Sequence, residues 1–464
     1  MKNLRITNKA IMIVVLLLLL LLFSACANND PPVNDTDDAD IHWDFYNERA
    51  ESFVTALSDG DFEAAAGMFD AVMKRALPVS ALKNDVWGAI TKQAGDFVAV
   101  HKIDNTVYDG YYICFVTSQH QDTGVTLRIV FSQNGLVSGL FIDGYPVLAG
   151  EITQRDGFTD FPVIIGEGTE FPLDGILSVP DNAAGKIPAV VIVHGSGPVD
   201  MDGTVLANKP YRDIAEYLAL NGVAVVRYNK RTLTHGARVD GSWTVREETI
   251  YDAILATEMV KADPRIDENR VFIIGHSLGG MLAPRIHAEG GDFAGLILLA
   301  GSPRFIMDVS KDQNIALINE TMEGKDREAA LAQIEESWDA QIAELISLPD
   351  DAAMNTPVEG GVSAYYFKDL FNNPMSAYIN EIAIPILVLQ GSKDVQIPAG
   401  VDYVLFREML AGRSNVDFVL YEGLNHLFMP STIGTMAGLM DEYAIESRVD
   451  SRVSEDIVKW IQKH

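Results

Sequence analysis

The residues best suited to chemistry in this chain surround Ser277, within residues 275–280, Gly-His-Ser-Leu-Gly-Gly. The bare Gly-x-Ser-x-Gly pattern is a weak signal, but here an apolar run precedes it and a helix-like run follows it. A serine on a sharp strand-to-helix turn is exposed as a nucleophile, and glycines two positions away on each side let the two backbones approach closely. We predict that Ser277 is a nucleophile and that His276, too near to act as its base, is a packing or hydrogen-bonding residue.

A serine nucleophile also needs donors for the negative oxygen of its tetrahedral intermediate. The N–H of Leu278, at the start of the predicted helix, is one candidate. The second is expected after an earlier apolar strand, where residues 194–198 read His-Gly-Ser-Gly-Pro. Small residues leave main-chain amides free to point inward. We predict that Ser196 N–H is this donor, with Gly195 or Gly197 as alternatives.

Serine is a poor nucleophile at neutral pH, so an imidazole must take its proton and a carboxylate must orient that imidazole. Asp394 follows the apolar run Ile386–Leu389, and His426 follows the next one, Val416–Tyr421. Of the nine histidines, His426 alone comes just after the last predicted strand. We predict Asp394 as the acid and His426 as the base, with Glu422 as the alternative acid.

The elements that would position these residues extend over about residues 155–464. Short apolar strands alternating with amphipathic helices predict a mostly parallel sheet of eight strands covered on both faces. The carboxyl ends of parallel strands share one edge, where the three residues would meet. The predicted strands are Phe161–Ile165, Gly175–Val179, Ala189–Val193, Val223–Tyr228, Val271–Ile274, Leu296–Leu299, Ile386–Leu389 and Val416–Tyr421. The predicted helices are Tyr211–Asn221, Arg246–Ala262, Leu278–His287, Ala399–Ala411 and Glu446–Gln462.

The interval of about residues 305–383 breaks this alternation, with charged helical stretches at Asp312–Glu320 and Asp326–Leu348. An insertion after the sixth strand would lie above the carboxyl ends of the strands, where ligands bind. We expect a helical cap over the site, the alternative being a surface excursion without contact to substrate.

These segments resemble the α/β-hydrolase superfamily, and residues 194–198 with Asp200 and Asp202 look like bacterial esterases of the EstD type. The resemblance implies carboxylesterase activity on short acyl chains, with a small-molecule ester as substrate and neither metal nor cofactor. That group commonly has an acidic residue where this chain has Asn229, so substrate contacts of that loop do not carry over. The sequence also lacks the clustered Cys and His residues of a zinc site.

Residues 41–148 form a separate segment with helical periodicity over Trp43–Leu57 and Phe62–Leu77. Four strand-like runs follow, with turns predicted at Asp109-Gly110 and Asn134-Gly135: Phe97–Ile103, Val107–Thr117, Thr126–Phe131 and Leu136–Ile142. This order predicts an α+β domain with helices on one face of an antiparallel sheet. Residues 58–69 resemble small domains similar to nuclear transport factor 2, for which we expect a binding or spacer role.

The first 25 residues are typical of a signal peptide: three basic residues, an apolar run over Ala10–Phe23 and small residues before Cys26. The run is too short to span a bilayer easily, which makes an uncleaved anchor the weaker alternative. Residues 23–26 resemble the lipobox of bacterial lipoproteins, which implies lipidation of Cys26. Because Phe23 is unusual at its position, a secreted product stays open. Residues 26–40 are acidic and polar, as in a flexible linker.

The formal charge of −30 makes nucleic acid an improbable partner, because such a chain repels phosphate backbones. With only Cys26 and Cys114, an acylated Cys26 leaves Cys114 without an intramolecular partner. We therefore predict a lipid-anchored, extracytoplasmic bacterial protein, of a subunit number that the sequence does not indicate.

Two other functions stay open. An amidase or peptidase could use the same triad, since acyl transfer to serine is common to both reactions. A non-catalytic binding lipoprotein could retain the fold, but such proteins usually lose a catalytic residue and this chain has candidates for all three.

Overall fold

The computed structural model describes residues 41–108, 110–181, 184–358 and 361–464. The signal peptide, Cys26 and the linker therefore lie outside the described residues. Within the described residues the chain forms two compact units, which divide between Leu148 and Ala149. No helix in this part of the chain has both the length and the apolar character needed to cross a membrane.

The N-terminal unit is an α+β domain, as predicted. Its antiparallel sheet has four strands among the described residues, which are neighbours in the order in which they follow along the chain. The strands are β1 Phe97–Tyr108, β2 Tyr111–His120, β3 Gly124–Phe131 and β4 Val137–Gly144. Helical segments precede them at Trp43–Ser58, Phe62–Gly67, Ala71–Ala76, Val79–Ala81, Leu82–Trp87 (a π-helical turn) and Gly88–Ala94. One hydrophobic core joins helix residues such as Phe53 to strand residues such as Cys114 and Ile129.

Two predictions for this unit were wrong in detail. The helix predicted over Phe62–Leu77 is two helices, because the Asp70 carboxylate accepts hydrogen bonds from the N–H groups of Val72 and Met73 and starts a new helix there. The strand predicted to end at Ile103 continues to Tyr108 and pairs with β2 along its length.

Cys114 is buried in this core. Burial raises the pKa of its thiol to about 12, so it stays protonated at neutral pH.

The C-terminal unit contains a mixed sheet, with nine strands among its described residues, in the order β15-β14-β11-β10-β8-β9-β7-β6-β5. Neighbours from β15 to β9 are parallel, whereas β7, β6 and β5 continue the sheet antiparallel. The strands are β5 Thr153–Gln154, β6 Phe158–Ile165, β7 Leu173–Pro180, β8 Ile187–Val193, β9 Ala224–Tyr228, β10 Ile266–His276, β11 Gly295–Leu299, β14 Ile386–Gly391 and β15 Val416–Tyr421. All but the two-residue β5 were predicted.

Helices cover both faces of this sheet. They are Pro210–Leu220, Arg231–Thr234, Arg246–Ile250 (a π-helical turn) continued by Tyr251–Ala262, Leu278–Ile286 continued by the π-helical turn His287–Gly291, Asp402–Met409, Leu439–Tyr443 and Ser451–Lys463, with a 3-10 turn at Gly236–Arg238. Alternate residues of β10 face opposite cores: Ile273 belongs to one cluster and Phe272 to the other, against Trp460. Continuous apolar strands are buried on both sides for this reason.

The predicted cap occupies the chain between β11 and β14. It comprises helices Ile306–Thr321, Gly324–Ser347, Asp350–Met354, Ala364–Asn372 and Ser376–Ile379, with a short hairpin of β12 Pro357–Val358 and β13 Val362–Ser363. Its first helix contacts the loops at the carboxyl ends of β14 and β15. Gln313 donates to the carbonyl of Gln396 at 2.8 Å, and Glu320 accepts from the N–H of Ala437 at 2.8 Å.

Candidate active site

Ser277 lies on the turn between β10 and the helix Leu278–Ile286, with φ 54° and ψ −114°. A positive φ is unfavourable for a serine, so the surrounding structure must hold it. The N–H of Ser277 donates to the carbonyl of Leu299 on β11 at 2.9 Å. The turn therefore presents the side chain at the carboxyl edge of the sheet.

Gly275 and Gly279, two positions on either side of Ser277, allow this turn because they have no side chain. A Cβ on Gly275 would lie 2.2 Å from the carbonyl oxygen of Gly279, and one on Gly279 would lie 2.4 Å from that of Val193. Both distances are far inside van der Waals contact with backbone, which cannot move aside. Glycine is required at both positions, as the sequence pattern indicated.

The loop after β8 lies against the serine. A Cβ on Gly195 would be 3.2 Å from that of Ser277. The N–H of Gly195 donates to the Tyr211 hydroxyl at 3.1 Å, which takes it out of the set of candidate oxyanion donors. In the part of the chain that the structure describes, neither Ser196 N–H nor Gly197 N–H makes a hydrogen bond, so both stay candidates. The N–H of Leu278 has no partner within its helix because it is the first helical residue.

Asp394 and His426 are in direct contact. Nδ1 of His426 lies 2.8 Å from Oδ2 of Asp394, and both residues are buried. The other carboxylate oxygen accepts the N–H groups of Gln396 and Ile397, each at 2.9 Å. Because the carboxylate can only accept, it fixes the tautomer in which Nδ1 carries the proton and Nε2 is free to act as a base.

The side chain of Ser277 makes no hydrogen bond to the His426 ring among the described residues. The two segments are nevertheless adjacent: the rings of His276 and His426 lie 4.8 Å apart, centroid to centroid. Catalytic hydrogen bonds often close only when substrate binds. The alternative acid, Glu422, is exposed to solvent.

His276 has the structural role that was expected of it. Its Nε2 donates to the carbonyl of His426 at 3.0 Å, so Nδ1 accepts from the Tyr211 hydroxyl, also at 3.0 Å. Burial, and next the neighbouring His426, lower the pKa of His276 to about 3. A neutral His276 thus links the Gly195 loop to the His426 loop through Tyr211.

The sequence did not indicate the residues that hold the His426 loop. Glu442 accepts from the side chain of Asn425 at 2.9 Å. Its second oxygen accepts from Ser431 and from three successive N–H groups, at residues 432–434. Burial raises the pKa of this carboxyl, but the hydrogen bonds from Asn425, Ile433, Gly434 and Ser431 outweigh it, and the net pKa is lowered. An acid so far from Asn425 in sequence carries no local signal.

A second unexpected feature is a buried ion pair between Lys230, after β9, and Glu248. Nζ of Lys230 lies 2.7 Å from the Glu248 carboxylate and donates to the carbonyl of Gly195 at 2.8 Å. From the cap, Tyr366 donates to the other oxygen of Glu248 at 2.5 Å. Neighbouring Asn229 accepts from Met201 N–H at 3.0 Å, so this departure from the esterase pattern is a buried support of the loop.

Known proteins resemble both units. Residues 188–430 match the family described as serine aminopeptidase S33, and residues 50–140 match one described as a protein of unknown function. The esterase EstD of Thermotoga maritima is 30% identical over 422 residues, covering 90% of this chain and 96% of that protein. Est1E from Butyrivibrio proteoclasticus has 16% identity and a TM-score of 0.40, covering 65% of this chain and 98% of that one. The esterase domain of a Rhodothermus marinus protein has 14% identity and a TM-score of 0.38, covering 66% of this chain and 98% of that one.

Proposed function

Because this chain belongs to the serine aminopeptidase S33 family of α/β-hydrolases, we propose that it is a serine hydrolase that cleaves carboxylic esters through an acyl-enzyme intermediate. The predicted α/β-hydrolase fold is confirmed by the family match and the mixed sheet. The preference for esters is supported by the 30% identity with an esterase along most of both chains.

The observation that carries the proposal is the 2.8 Å contact between Asp394 and His426, at the edge of the sheet where Ser277 sits on a strained turn. In the proposed reaction, Nε2 of His426 takes the hydroxyl proton of Ser277 as its oxygen attacks the ester carbonyl. The imidazolium then returns that proton to the departing alcohol. Water repeats the sequence on the acyl-enzyme and releases the acid.

The negative oxygen of each tetrahedral intermediate would be bound by the N–H groups of Ser196 and Leu278. This assignment is favoured by the close approach of Gly195 to Ser277 and by the free Ser196 amide. Removing one such donor typically lowers kcat about 10²- to 10³-fold, so the two amides would supply much of the rate enhancement.

Labelling with a fluorophosphonate, followed by p-nitrophenyl esters of increasing acyl length and a set of peptide anilides, tests the proposal. We expect labelling that is lost in Ser277→Ala, and faster hydrolysis of short esters than of anilides. The absence of labelling would contradict a serine mechanism and favour a binding protein. Equal labelling of Ser277→Ala would contradict the assignment of Ser277 as the nucleophile.

The second candidate is a peptidase or amidase, which the description of the matched family favours. It would use the same three residues, so only substrate preference separates the two activities. If anilides with a free amino terminus are cleaved faster than every ester, the esterase assignment is wrong and the serine mechanism stands.

We also propose that Cys26 is lipidated and holds the protein on the outer side of a bacterial membrane. The support is the order of basic, apolar and small residues over positions 1–26. Metabolic labelling with a fatty-acid analogue should mark the wild type but not Cys26→Ser. A labelled Cys26→Ser variant would contradict this attachment.

A further inference from the structure

Lys230 is almost completely buried, with 1% of its surface exposed, beside the loop that is expected to bind the oxyanion. Its ammonium group has two partners, the carbonyl of Gly195 at 2.8 Å and the carboxylate of Glu248 at 2.7 Å. A buried ion pair is a weak source of stability, because desolvation of both charges offsets their attraction. Stability alone therefore does not explain why Lys230 and Glu248 pair at this position.

The Gly195 carbonyl and the Ser196 N–H belong to the same peptide group. That peptide is planar and trans, so its carbonyl and its N–H point in opposite directions. With the carbonyl oxygen held by Lys230, the N–H of Ser196 is directed to the other side of the loop. That N–H has no partner among the described residues.

We propose that Lys230 is a positioning residue for the oxyanion site: its ammonium group holds the Gly195–Ser196 peptide so that Ser196 N–H faces the developing negative charge. This inference rests on the proposed function, since it assigns a role within the same site. Lys230 contacts the far side of the peptide and acts through it.

A charged donor suits this role better than a neutral one. Hydrogen bonds to charged groups are shorter and roughly twice as strong as neutral ones. Hydrogen bonds in a chain also polarise one another, so an ammonium group on the carbonyl makes the N–H of the same peptide a better donor. Both effects favour the bound oxyanion over the neutral carbonyl of the substrate, which raises kcat.

Glu248 and Tyr366 hold Lys230 in place. Glu248 accepts from Lys230 through one oxygen and from the Tyr366 hydroxyl through the other. Burial, and next the Glu248 carboxylate, raise the pKa of Tyr366 well above its usual value, so Tyr366 remains a donor. Because Tyr366 lies on the cap helix Ala364–Asn372, this series of contacts runs from the cap to the oxyanion loop.

Lys230→Met, which keeps the length of the side chain and removes its charge, tests the proposal in the full chain. We expect kcat for p-nitrophenyl acetate to fall about 10- to 10³-fold, up to the effect of losing one oxyanion donor, with KM changed less than about threefold. The affinity for a trifluoromethyl ketone, which forms a tetrahedral adduct with serine, should fall by the same factor as kcat/KM. Lys230→Arg should restore part of both losses.

Lys368→Met is the matched control. Lys368 also donates to one main-chain carbonyl, that of Leu348, and to one carboxylate, that of Asp350, each at 2.6 Å. Its contacts lie within the cap, so we expect its kcat and its affinity for the ketone to match the wild type.

Tyr366→Phe keeps the proposal testable if Lys230→Met does not fold. It removes one hydrogen bond from Glu248 and should lower kcat about 3- to 10-fold at unchanged KM. The rate of fluorophosphonate labelling should fall in parallel, a readout that requires no knowledge of the natural substrate.

The proposal is overturned if folded Lys230→Met has wild-type kcat, so that any loss of kcat/KM comes from KM alone. It is also overturned if the affinity for the ketone does not fall together with kcat/KM. Should Lys230→Met not fold, a wild-type kcat and labelling rate in Tyr366→Phe overturns it. Failure of the proposed function is distinguishable, because it shows in the wild type and in Ser277→Ala: either the wild type is not labelled, or the two are labelled equally.

Discussion

Nδ1 of His426 lies 2.8 Å from Oδ2 of Asp394, and both residues are buried. Because an ionised carboxylate can only accept a hydrogen bond, Nδ1 must be the donor. The proton then sits on Nδ1, which leaves the lone pair of Nε2 available, as the proposed base role requires.

Asp394→Asn should therefore lower kcat by about 10⁴-fold, as the same change does in other serine triads, because the amide favours the wrong tautomer. Steady-state kinetics on p-nitrophenyl acetate measures this loss. Glu422→Gln is the matched control. Since Glu422 is exposed, we expect its kcat to equal that of the wild type. The reverse result, with a large loss only in Glu422→Gln, would transfer the acid role to that residue.

Glu442→Gln should destabilise the loop that carries His426. The carboxylate accepts five hydrogen bonds, and an amide has too few acceptor sites to replace it. We expect a loss of about 2–4 kcal/mol in the free energy of unfolding, together with reduced kcat. Urea denaturation of the hydrolase unit measures it.

The pH dependence of this loss follows from the lowered pKa of Glu442. A carboxyl with a lower pKa in the folded state stabilises the fold above its unfolded pKa, and this contribution disappears as the pH falls through the folded value. The difference in unfolding free energy between the wild type and Glu442→Gln should accordingly become smaller as the pH falls below about 4.5. If this difference in unfolding free energy instead became larger at lower pH, the stabilising role of the Glu442 carboxylate would be contradicted.

Gly279→Ala should disrupt the turn that carries Ser277, because the added Cβ would lie 2.4 Å from the carbonyl oxygen of Val193. We expect a loss of at least about 3 kcal/mol in unfolding free energy, at the upper end for overpacked sites, and loss of activity. Gly400→Ala, whose Cβ meets nothing within 4 Å, is the control and should fold normally. Equal stability of the two variants would show that the turn can relax.

His276 and His194 should make the hydrolase unit less stable in mild acid. Burial is the main cause that lowers the pKa of each to about 3, with His426 contributing for His276 and Lys230 for His194. Between the unfolded pKa of about 6.5 and about pH 3, the unfolded chain binds protons that the folded chain excludes. Each histidine then removes roughly 1.4 kcal/mol of stability per pH unit as the pH falls.

His276→Gln isolates this effect from other titrating groups. Asp252, whose pKa burial raises to about 6 despite the opposing effect of Arg231, contributes with the opposite sign. Comparing the slopes of unfolding free energy between pH 4.5 and 6 cancels that contribution. We expect unfolding free energy to depend less steeply on pH in His276→Gln than in the wild type. The difference should correspond to about one fewer proton taken up on unfolding. Identical slopes would mean that His276 titrates normally in the folded state.

Much of the fold could be predicted because the pattern is local. Short apolar runs rich in β-branched residues, such as Ala189–Val193, are typical of strands buried on both faces, and Gly275, Ser277 and Gly279 have a spacing that suits one kind of turn. One error arose where a side chain overrode the pattern, at Asp70, which divides a predicted helix into two. The two-residue β5 was missed because so short a strand has no periodicity.

The sequence by itself determined where the strands lie along the chain. From their alternation with helices it also predicted the edge at which Ser277, Asp394 and His426 would be found, since the ends of parallel strands fall at the same side of a sheet. Tertiary structure alone decided which polar groups meet there. The contacts of Lys230 with Gly195 and of Glu442 with Asn425 join residues 35 and 17 positions apart. Such pairings depend on how loops from different strands pack, and a buried polar group leaves no periodic trace in the chain that carries it.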